Sequence, residues 1–230
     1  RPYRSGDQTC PVGSFLNGMP TANFLTFEGG EGAGKSTQIV RLASALERAG
    51  TIVTTTREPG GSPGAEIIRG FLLDPAAEWD APAEALLHFA ARADHYTTLI
   101  APALRRDEWV LCDRFADSTR AYQGYGLGLD MKAIEMLYEI ALGAFKPDLT
   151  LILDLPVEIG MQRITARDGA PDRYEKMDVA FHERLRMGFL DIARQEPGRC
   201  EIIDANADIK TVSTRIFGCV ERRLGVRLKP

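Results

Sequence analysis

Short apolar runs alternate along the chain with longer segments in which apolar residues recur every three or four positions. The apolar runs, rich in β-branched and aromatic residues, span residues 24–28, 51–56, 109–113, 149–155 and 200–204. The helical patterns between them span residues 36–49, 64–73, 82–106, 131–145, 158–166, 176–195 and 209–224. Strands that are apolar on both faces are typical of a parallel sheet that helices cover on both sides. The pattern therefore predicts an α/β protein with a five-stranded parallel sheet flanked by helices.

The alternation continues without an internal repeat or a low-complexity linker, so we predict a single domain over residues 22–230. Residues 1–21 lack periodicity and are rich in turn formers. We expect a disordered N-terminal extension or a tag remnant there, with Met19 as a candidate native start. Residues 167–174 are polar and rich in arginine, which indicates a mobile flap, and we expect a short lid at about residues 163–176.

Composition and charge limit the classes of protein to which the chain can belong. The chain of 230 residues has a formal net charge of −4 at pH 7, which argues against a general nucleic-acid-binding protein. Its apolar runs are much shorter than the roughly 20 residues that span a membrane, so we expect no membrane partner. The four cysteines, Cys10, Cys112, Cys200 and Cys219, show neither a C-x-x-C pair nor the spacing of a metal site. Three of them lie in apolar stretches, which indicates buried thiols in a reducing compartment and predicts a cytoplasmic protein.

Residues 29–36 match the phosphate-loop pattern G-x-x-x-x-G-K-S/T, with its fixed positions at Gly29, Gly34, Lys35 and Ser36. Glycines allow successive backbone N–H groups to surround an anion, and the N-terminus of the following helix adds unpaired donors. Lys35 supplies a charge for the β- and γ-phosphates, and Ser36 supplies a hydroxyl ligand for Mg²⁺. The alternative is a glycine-rich turn without a ligand. The complete pattern between a strand and a helix favours a nucleoside triphosphate bound with Mg²⁺.

The third apolar run ends in Asp113, which Arg114 follows. The carboxyl ends of neighbouring parallel strands share one edge of the sheet. We therefore expect Asp113 close to the phosphate loop, where a carboxylate helps to hold Mg²⁺. Arg114 can bind a phosphate through two parallel hydrogen bonds. A surface ion pair is the alternative explanation for these two residues.

Six motifs follow one another along the chain: "FEGGEGAGKST" (27–37), "TREPGG" (56–61), "LLHFAARADH" (86–95), "DRFADSTRAYQG" (113–124), "DRYE" (172–175) and "IDAN" (203–206). Together they resemble the motifs of thymidylate kinases, which phosphorylate dTMP to dTDP with ATP. Each motif is weak alone, but their order and spacing are specific, and the resemblance extends from Asn23 to about Leu224. It implies a P-loop NTPase fold with a short lid, ATP and dTMP as substrates, Mg²⁺ as the cofactor, and a homodimer.

The resemblance implies a role for the side chains expected at dTMP. Arg114 binds the phosphate of dTMP, and Arg92 reaches a carbonyl of the thymine. Thr119 reads the edge of the base, while Tyr122 lies against the deoxyribose, where its bulk disfavours a 2′-hydroxyl. The loop of residues 56–61 closes over the substrate phosphate, although its proline and glycines also have a purely backbone explanation. The residues expected to bind dTMP are Glu58, Pro59, His88, Phe89, Arg92, Arg114, Thr119, Tyr122 and Gln123.

One position departs from the family pattern. Related kinases usually carry a phenylalanine four residues before the base-reading arginine, stacked on thymine. Here that position is His88, and Phe89 follows it. On a helix the two residues lie at i−4 and i−3 from Arg92, so both can share its face. A neutral imidazole can stack, but an apolar ring buries more area, so the sequence leaves open which ring covers the base.

The ATP side and the catalytic residues follow from the same resemblance. Arg163 packs against adenine, residues 204–208 line it, and Glu31 faces the acceptor side near the sugar hydroxyl of dTMP. The residues expected at ATP are Gly29, Gly30, Glu31, Gly32, Ala33, Gly34, Lys35, Ser36, Thr37, Arg163 and Asn206. The expected metal ligands are Ser36 and Asp113. The expected catalytic residues are Lys35, Arg167, Arg173, Glu31 and Asp113.

Phosphoryl transfer calls for an arginine aimed at the transferred group. Some thymidylate kinases carry it in the phosphate loop, directly after the acid, but here that position is Gly32. The flap therefore resembles the bacterial arrangement, in which the lid donates the arginine. Arg167 is the first choice and Arg173 the second, although the spacing of this flap differs by a residue from the commonest bacterial form. The alternative is that the flap arginines are solvated charges.

Two other functions stay open at this stage. Another nucleoside or deoxynucleoside monophosphate kinase would share the phosphate loop, and only the resemblance at Arg92, Thr119 and Tyr122 favours dTMP. A nucleotide-switch NTPase usually carries an N/T-K-x-D motif on a late strand. The last strand here runs into "IDANAD" and lacks that lysine.

Overall fold

The computed structural model describes residues 22–74, 76–166 and 173–228. Residues 1–21, expected as an N-terminal extension, and residues 167–172 of the expected lid lie outside these ranges. Parallel pairing joins the strands into one five-stranded sheet with the order β2-β3-β1-β4-β5. The strands are β1 (Phe24–Glu28), β2 (Val53–Arg57), β3 (Trp109–Asp113), β4 (Leu149–Asp154) and β5 (Cys200–Asp204). The predicted five-stranded parallel sheet is confirmed.

Helices cover both faces of this sheet. They are α1 (Lys35–Arg48), α2 (Pro63–Leu73), α3 (Ala81–His95), α4 (Ala101–Arg105), α5 (Ala116–Thr119), α6 (Met131–Leu142), α7 (Val157–Thr165), α8 (Val179–Gln195) and α9 (Ile209–Leu224). Two π-helical turns, Tyr96–Ile100 and Arg120–Gly126, continue α3 and α5. Four helices begin at an aspartate whose side chain accepts backbone N–H bonds, a cap that contributes about 1 kcal/mol. These aspartates are Asp80, Asp130, Asp178 and Asp208.

Two segments differ from the predicted elements. The helix predicted over residues 82–106 is observed as α3, a π turn and α4. Pro102 lies in the first turn of α4 and has no N–H to donate to the preceding turn, which favours this irregularity. The pattern predicts no helix over residues 120–126, because two glycines there lower helix propensity. The segment is nevertheless helical, since it packs against α8 and buries Ala121 and Tyr122.

The buried core determines where the ends of the central strands lie. Leu25 and Phe27 of β1 and Leu111 of β3 are fully buried in the core that α1 and α9 cover. Burial of each such side chain stabilises the fold by about 1.5–3 kcal/mol. Phe27 pairs in register with Asp113, at the end of the neighbouring strand. The phosphate loop that follows β1 therefore lies beside Asp113, at one edge of the sheet.

The cysteines bear out a simpler expectation. Cys112, Cys200 and Cys219 are buried free thiols, whereas Cys10 lies outside the described residues. Within the described ranges, no helix has both the length and the apolar character needed to cross a membrane.

Candidate active site

Lys35 is held inside the phosphate loop. Its Nζ donates hydrogen bonds to the carbonyl oxygens of Gly29, at 3.0 Å, and Gly30, at 2.9 Å. The side chain is buried, and burial together with the charge of Arg114 lowers the pKa of its ammonium. The loop carbonyls therefore keep this cation beside the backbone that is expected to surround phosphate.

Ser36 and Asp113 join the phosphate loop to the end of β3. The Ser36 hydroxyl donates to Asp113 Oδ2 over 2.7 Å. A hydroxyl oxygen and a carboxylate oxygen are hard ligands of the kind that Mg²⁺ prefers. This pair is the candidate metal site.

Glu31 is the centre of a hydrogen-bond cluster on the acceptor side of the loop. Its Oε1 accepts from Arg114 Nη2 at 2.6 Å and from the Tyr122 hydroxyl at 2.5 Å. Burial alone would raise the pKa of the Glu31 carboxyl, but the cations Arg114 and Lys35 and the Tyr122 hydroxyl lower it to about 2. Arg114 has a φ of 68°, a left-handed conformation that is uncommon outside glycine. A second bond, from Nη1 to the Gly29 carbonyl at 3.1 Å, helps to keep its guanidinium on the loop.

A cleft of about 250 Å³ adjoins this cluster. It brings together Glu31, Ser36, Asp113 and eight of the nine residues expected at dTMP. Those eight are Glu58, Pro59, His88, Arg92, Arg114, Thr119, Tyr122 and Gln123. The ninth, Phe89, is absent from the lining of this cleft.

Arg92 is a buried cation in the wall of the cleft. Its Nε donates to Glu58 Oε2 at 2.7 Å, Nη1 to the Thr119 hydroxyl at 3.1 Å, and Nη2 to the Phe115 carbonyl at 3.0 Å. The guanidinium also lies over the rings of Phe89 and Phe115, at 4.7 and 5.3 Å from their centroids. These contacts fix the position of the cation, and they explain why Glu58 and Thr119 occur with Arg92 in one site.

His88, and not Phe89, faces the cleft. Phe89 is 3% exposed and packs in the core, edge-on to Tyr138 of α6. His88 lines the cleft, with Nε2 lying 3.4 Å from the Tyr174 hydroxyl. Burial and the neighbouring arginines, above all Arg92, lower the pKa of His88 to about 3. The imidazole is therefore neutral at physiological pH and can present an uncharged face to a base.

The sequence interpretation assigns no role to several residues that line this cleft. Arg69 of α2 reaches the cleft and donates to the Pro59 carbonyl at 2.6 Å. Tyr174 donates to Glu84, a fully buried carboxylate, at 2.7 Å. An arginine among the mostly apolar residues of α2 is the signal that identifies Arg69, and Tyr174 belongs to the "DRYE" motif. The cleft also includes Arg57, Leu73, Phe115 and Ser118.

A second cleft, of about 640 Å³, lies on the other side of the phosphate loop. It is lined by Gly32, Ala33, Gly34, Thr37 and Gln38 of the loop and α1, by Arg163 of α7, and by Ala205, Ala207, Asp208, Ile209, Lys210 and Val212. Arg163 Nη1 donates to the Gly32 carbonyl at 3.3 Å. Asn206 is exposed between two lining alanines. Gly29 and Gly30, also expected at ATP, line a separate small cavity behind the loop.

Of the two candidate catalytic arginines in the lid, the structure describes only Arg173. Arg173 donates from Nη1 to Glu84 at 2.8 Å and from Nη2 to the Trp79 carbonyl at 3.2 Å. These partners hold it at the end of α3 and not at the phosphate loop. Arg167 lies outside the described residues.

Comparisons with known proteins identify the family. The profile of the family described as Thymidylate kinase matches residues 27–216. The thymidylate kinase of Caulobacter vibrioides is 57% identical over 209 residues, which cover 90% of this chain and 100% of that relative. The thymidylate kinase of Rhodopseudomonas palustris is 53% identical over 221 residues, which cover 94% of each chain. The crystal structure of thymidylate kinase from Ehrlichia chaffeensis matches with a TM-score of 0.70 and 35% identity, covering 86% of this chain and 98% of that one. The chain therefore belongs to the thymidylate kinase family.

Proposed function

We infer that this chain phosphorylates dTMP to dTDP with ATP, using two substrate sites that share one phosphate loop. The observation that carries this inference is the division of the loop between two clefts. Gly32 and Thr37 line the larger cleft, whereas Glu31 and Ser36 line the smaller one. A nucleotide switch needs a site for its triphosphate only. A kinase must hold a donor and an acceptor on opposite sides of the transferred group.

ATP is proposed to bind in the larger cleft. The backbone N–H groups of residues 29–37 and the N-terminus of α1 would surround its phosphates. Lys35 would exchange its two carbonyl partners for oxygens of the β- and γ-phosphates. Arg163 would pack on one face of adenine, with Ala205 and Ala207 on the opposite wall.

The phosphate of dTMP is proposed to bind Arg114. Glu31 already holds one side of that guanidinium through Nη2, which orients the planar group before the substrate arrives. Because the pKa of Glu31 is about 2, this ion pair persists throughout the pH range in which the enzyme would work. The ring of Tyr122 lies under Arg114, with the guanidinium carbon 5.0 Å from the ring centroid. The same ring would contact the deoxyribose and leave little room for a 2′-hydroxyl.

Thymine is proposed to bind between His88 and the buried polar groups. A guanidinium has five N–H donors, and the described residues engage three of them on Arg92, which leaves donors for a thymine carbonyl. Gln123 is fully buried, and its Oε1 has no hydrogen-bond partner among the described residues. Thymine N3–H is a donor that fits this acceptor. Thr119, bonded to Arg92, completes the polar edge.

Mg²⁺ is the proposed cofactor, and Ser36 with Asp113 would hold it. Both residues line the acceptor cleft, and Thr37, which follows Ser36, lines the larger one. Their hydroxyl and carboxylate oxygens fit a hard divalent cation that keeps several water and phosphate ligands. When bound, the ion neutralises charge on the phosphates of ATP.

The attacking group is a phosphate oxygen of dTMP. A monoester phosphate has a second pKa of about 6, so the acceptor is mostly dianionic at neutral pH and needs no strong general base. Its oxygen bonds to the γ-phosphorus as the bond from that phosphorus to the β–γ bridging oxygen breaks, which releases ADP. The task of Lys35 and Arg114 is to hold two anions in line. Arg167 is proposed to contact the transferred phosphoryl group, since Arg173 is engaged by Glu84.

Two copies of the chain are proposed to associate through the outer face of α2, α3 and α6. Five large apolar side chains on these helices are more than half exposed: Ile67, Phe71, Leu86, Met136 and Ile140. The pairs on α2 and α6 are each spaced by four residues and so share a helix face, and α3 packs against both helices. Exposed apolar side chains grouped on neighbouring helices are typical of a protein interface. Ile140→Glu is expected to yield monomers in sedimentation equilibrium, whereas Val40→Glu, an exposed apolar position on α1, is expected to leave association unchanged.

The reaction is tested by steady-state kinetics with dTMP, dUMP, dCMP, dGMP and AMP as acceptors. We expect the highest kcat/KM with dTMP, and ATP turnover that depends on an acceptor. A better acceptor than dTMP would favour another nucleoside monophosphate kinase. Equal ATP turnover with and without dTMP would favour a nucleotide switch, and either result would overturn the proposal.

A further inference from the structure

A buried histidine lies behind the phosphate loop. His182 of α8 is 4% exposed, and its Nε2 has no hydrogen-bond partner among the described residues. The other two histidines are engaged, because His88 contacts Tyr174 and His95 bonds both Glu58 and Thr56. A buried polar atom without a partner costs about 1–3 kcal/mol, so the position of this ring calls for an explanation.

His182 lines a small cavity together with Gly29, Gly30 and Glu31 of the phosphate loop. The cavity has a volume of about 20 Å³, and one water molecule needs about 10–15 Å³ measured in this way. Of the other charged residues at the cavity, Asp154 and Arg186 engage each other through two hydrogen bonds of 2.7 and 3.0 Å, and the Glu31 carboxylate is engaged by Arg114 and Tyr122. The peptide groups of residues 29–31 are therefore the polar groups at the cavity that a water molecule can join to Nε2.

The same cavity adjoins the residue whose carboxylate organises the acceptor site. Glu31 and His182 both line it, so the two residues are neighbours. Glu31 in turn holds Arg114 and Tyr122. A displacement of the loop backbone at Glu31 would move this carboxylate away from both partners.

We propose that His182 is a positioning residue for the acceptor site: through one water molecule in this cavity, its Nε2 fixes the backbone of residues 29–31 and so orients the Glu31 carboxylate toward Arg114. The inference rests on the proposed function, in which Arg114 binds the phosphate of dTMP. Its consequence is that a side chain on α8, without contact to either substrate, controls the affinity for dTMP. The affinity for ATP depends on it less, because Lys35, the N-terminus of α1 and residues 32–37 of the loop also bind its phosphates.

Two isosteric substitutions test this role. The amide of glutamine reaches the position of Nε2, whereas the amide of asparagine reaches only that of Nδ1. His182→Asn is expected to raise the KM for dTMP by roughly 2–10-fold, the loss expected for one hydrogen bond, with a smaller rise in the KM for ATP. His182→Gln is expected to restore the wild-type KM. Ile192→Val, a buried substitution in the core on the same helix, is the control for a general packing defect.

A double-mutant cycle with Glu31→Gln separates positioning from packing. If His182 acts through Glu31, His182→Asn should have almost no further effect on the KM for dTMP in the Glu31→Gln background. Additive effects, or equal values for His182→Asn and His182→Gln, would overturn the proposal. An inactive wild-type enzyme with dTMP would instead overturn the proposed function, so the two failures are distinguishable.

A crystal structure of the wild-type enzyme provides a test that does not depend on variants folding. We expect an ordered water molecule within hydrogen-bond distance of His182 Nε2 and of a peptide group in residues 29–31. A cavity without such a water, or a His182 ring turned away from it, would contradict the proposal.

Discussion

The backbones of Gly32 and Gly160 lie in direct contact. A β-carbon built on Gly32 would come within 2.4 Å of the Gly160 carbonyl oxygen, and one on Gly160 would come within 2.6 Å of the Glu31 carbonyl oxygen. The phosphate loop therefore has no room for a side chain at position 32 while α7 is in place. The resemblance to thymidylate kinases places the alternative loop arginine at this position. This contact leaves no space for a catalytic arginine in the loop. It therefore supports the proposal that the lid, which follows α7 in the chain, supplies that arginine.

Gly160→Ala is expected to disturb the phosphate loop without touching a substrate. The added methyl group must push either α7 or the Glu31 peptide away, and a displacement of about 1 Å at a reacting centre costs on the order of 10²-fold in rate. We expect kcat to fall by about that factor in steady-state kinetics. Gly218→Ala is the control, because this exposed glycine of α9 has no neighbour within 4 Å of an added β-carbon. A Gly160→Ala enzyme with normal kcat would contradict the coupling of α7 to the loop.

Substitution of arginines separates the proposed lid group from the acceptor-binding group. Arg167→Ala is expected to lower kcat by about 10³-fold, since an arginine that contacts the transferred phosphoryl group contributes at least that much in related reactions. Its effect on dTMP affinity, measured by isothermal titration, should be small. Arg114→Ala is expected to weaken dTMP binding strongly, because it removes the proposed partner of the phosphate.

Arg173→Ala is the matched comparison on the lid. It breaks the ion pair with the buried Glu84 and should affect dTMP affinity more than kcat. A larger loss of kcat for Arg173→Ala than for Arg167→Ala would reverse the assignment of the catalytic arginine.

Substitutions at the adjacent residues His88 and Phe89 test which of the two rings covers the base. His88→Phe is expected to lower the KM for dTMP by about 2–10-fold, because an apolar ring in the cleft adds about 0.5–1.5 kcal/mol of stacking. Phe89→Leu should reduce the melting temperature, since Phe89 packs in the core, and should raise the KM for dTMP less than His88→Ala does, because its ring supports Arg92 without lining the cleft. A rise in KM for Phe89→Leu as large as that for His88→Ala would indicate that Phe89 covers the base.

The sheet and the phosphate loop could be predicted from the sequence because each depends on local patterns. The apolar runs of β1, β3 and β5 match the observed strands residue for residue. The loop could be recognised because its chemistry requires glycines, Lys35 and Ser36 within eight consecutive positions. The strand predicted over residues 51–56 is observed as Val53–Arg57, a small shift typical of strand ends.

The arrangement of the cleft depended on contacts between residues far apart in the sequence. The choice between His88 and Phe89 follows from how α3 packs against Tyr138 of α6, and helical spacing alone places both rings near Arg92. The pairing of Arg173 with Glu84 joins residues 89 positions apart. Neither partner is distinctive as a residue type, so no local pattern could reveal this pairing.

Glu28, at the end of β1, is a fully buried carboxyl whose ionisation links stability to pH. Its oxygens accept bonds from the Phe115 N–H at 2.8 Å and the Ser118 hydroxyl at 2.6 Å. Burial, followed by the nearby charge of Asp117, raises the pKa of Glu28 from 4.5 to about 8. Burial would also raise the pKa of Asp117, but the hydrogen bonds and charge of Arg199 lower it below its usual value. Asp117 therefore stays ionised while Glu28 titrates.

The raised pKa predicts that the folded state loses stability as the pH increases. Between the unfolded pKa of 4.5 and the folded pKa of about 8, the folded state holds a proton on Glu28 that the unfolded state has released. The free energy of unfolding therefore carries a contribution that is complete below the unfolded pKa and falls by up to about 1.4 kcal/mol per pH unit until the folded pKa is reached. Glu28→Gln keeps the shape and the acceptor for the Phe115 N–H but cannot titrate, so its urea unfolding curves should show a smaller loss over the same range. Glu47→Gln, on the exposed surface of α1, should follow the wild type. Parallel pH profiles for wild type and Glu28→Gln would show that Glu28 is ionised in the folded protein at all these pH values.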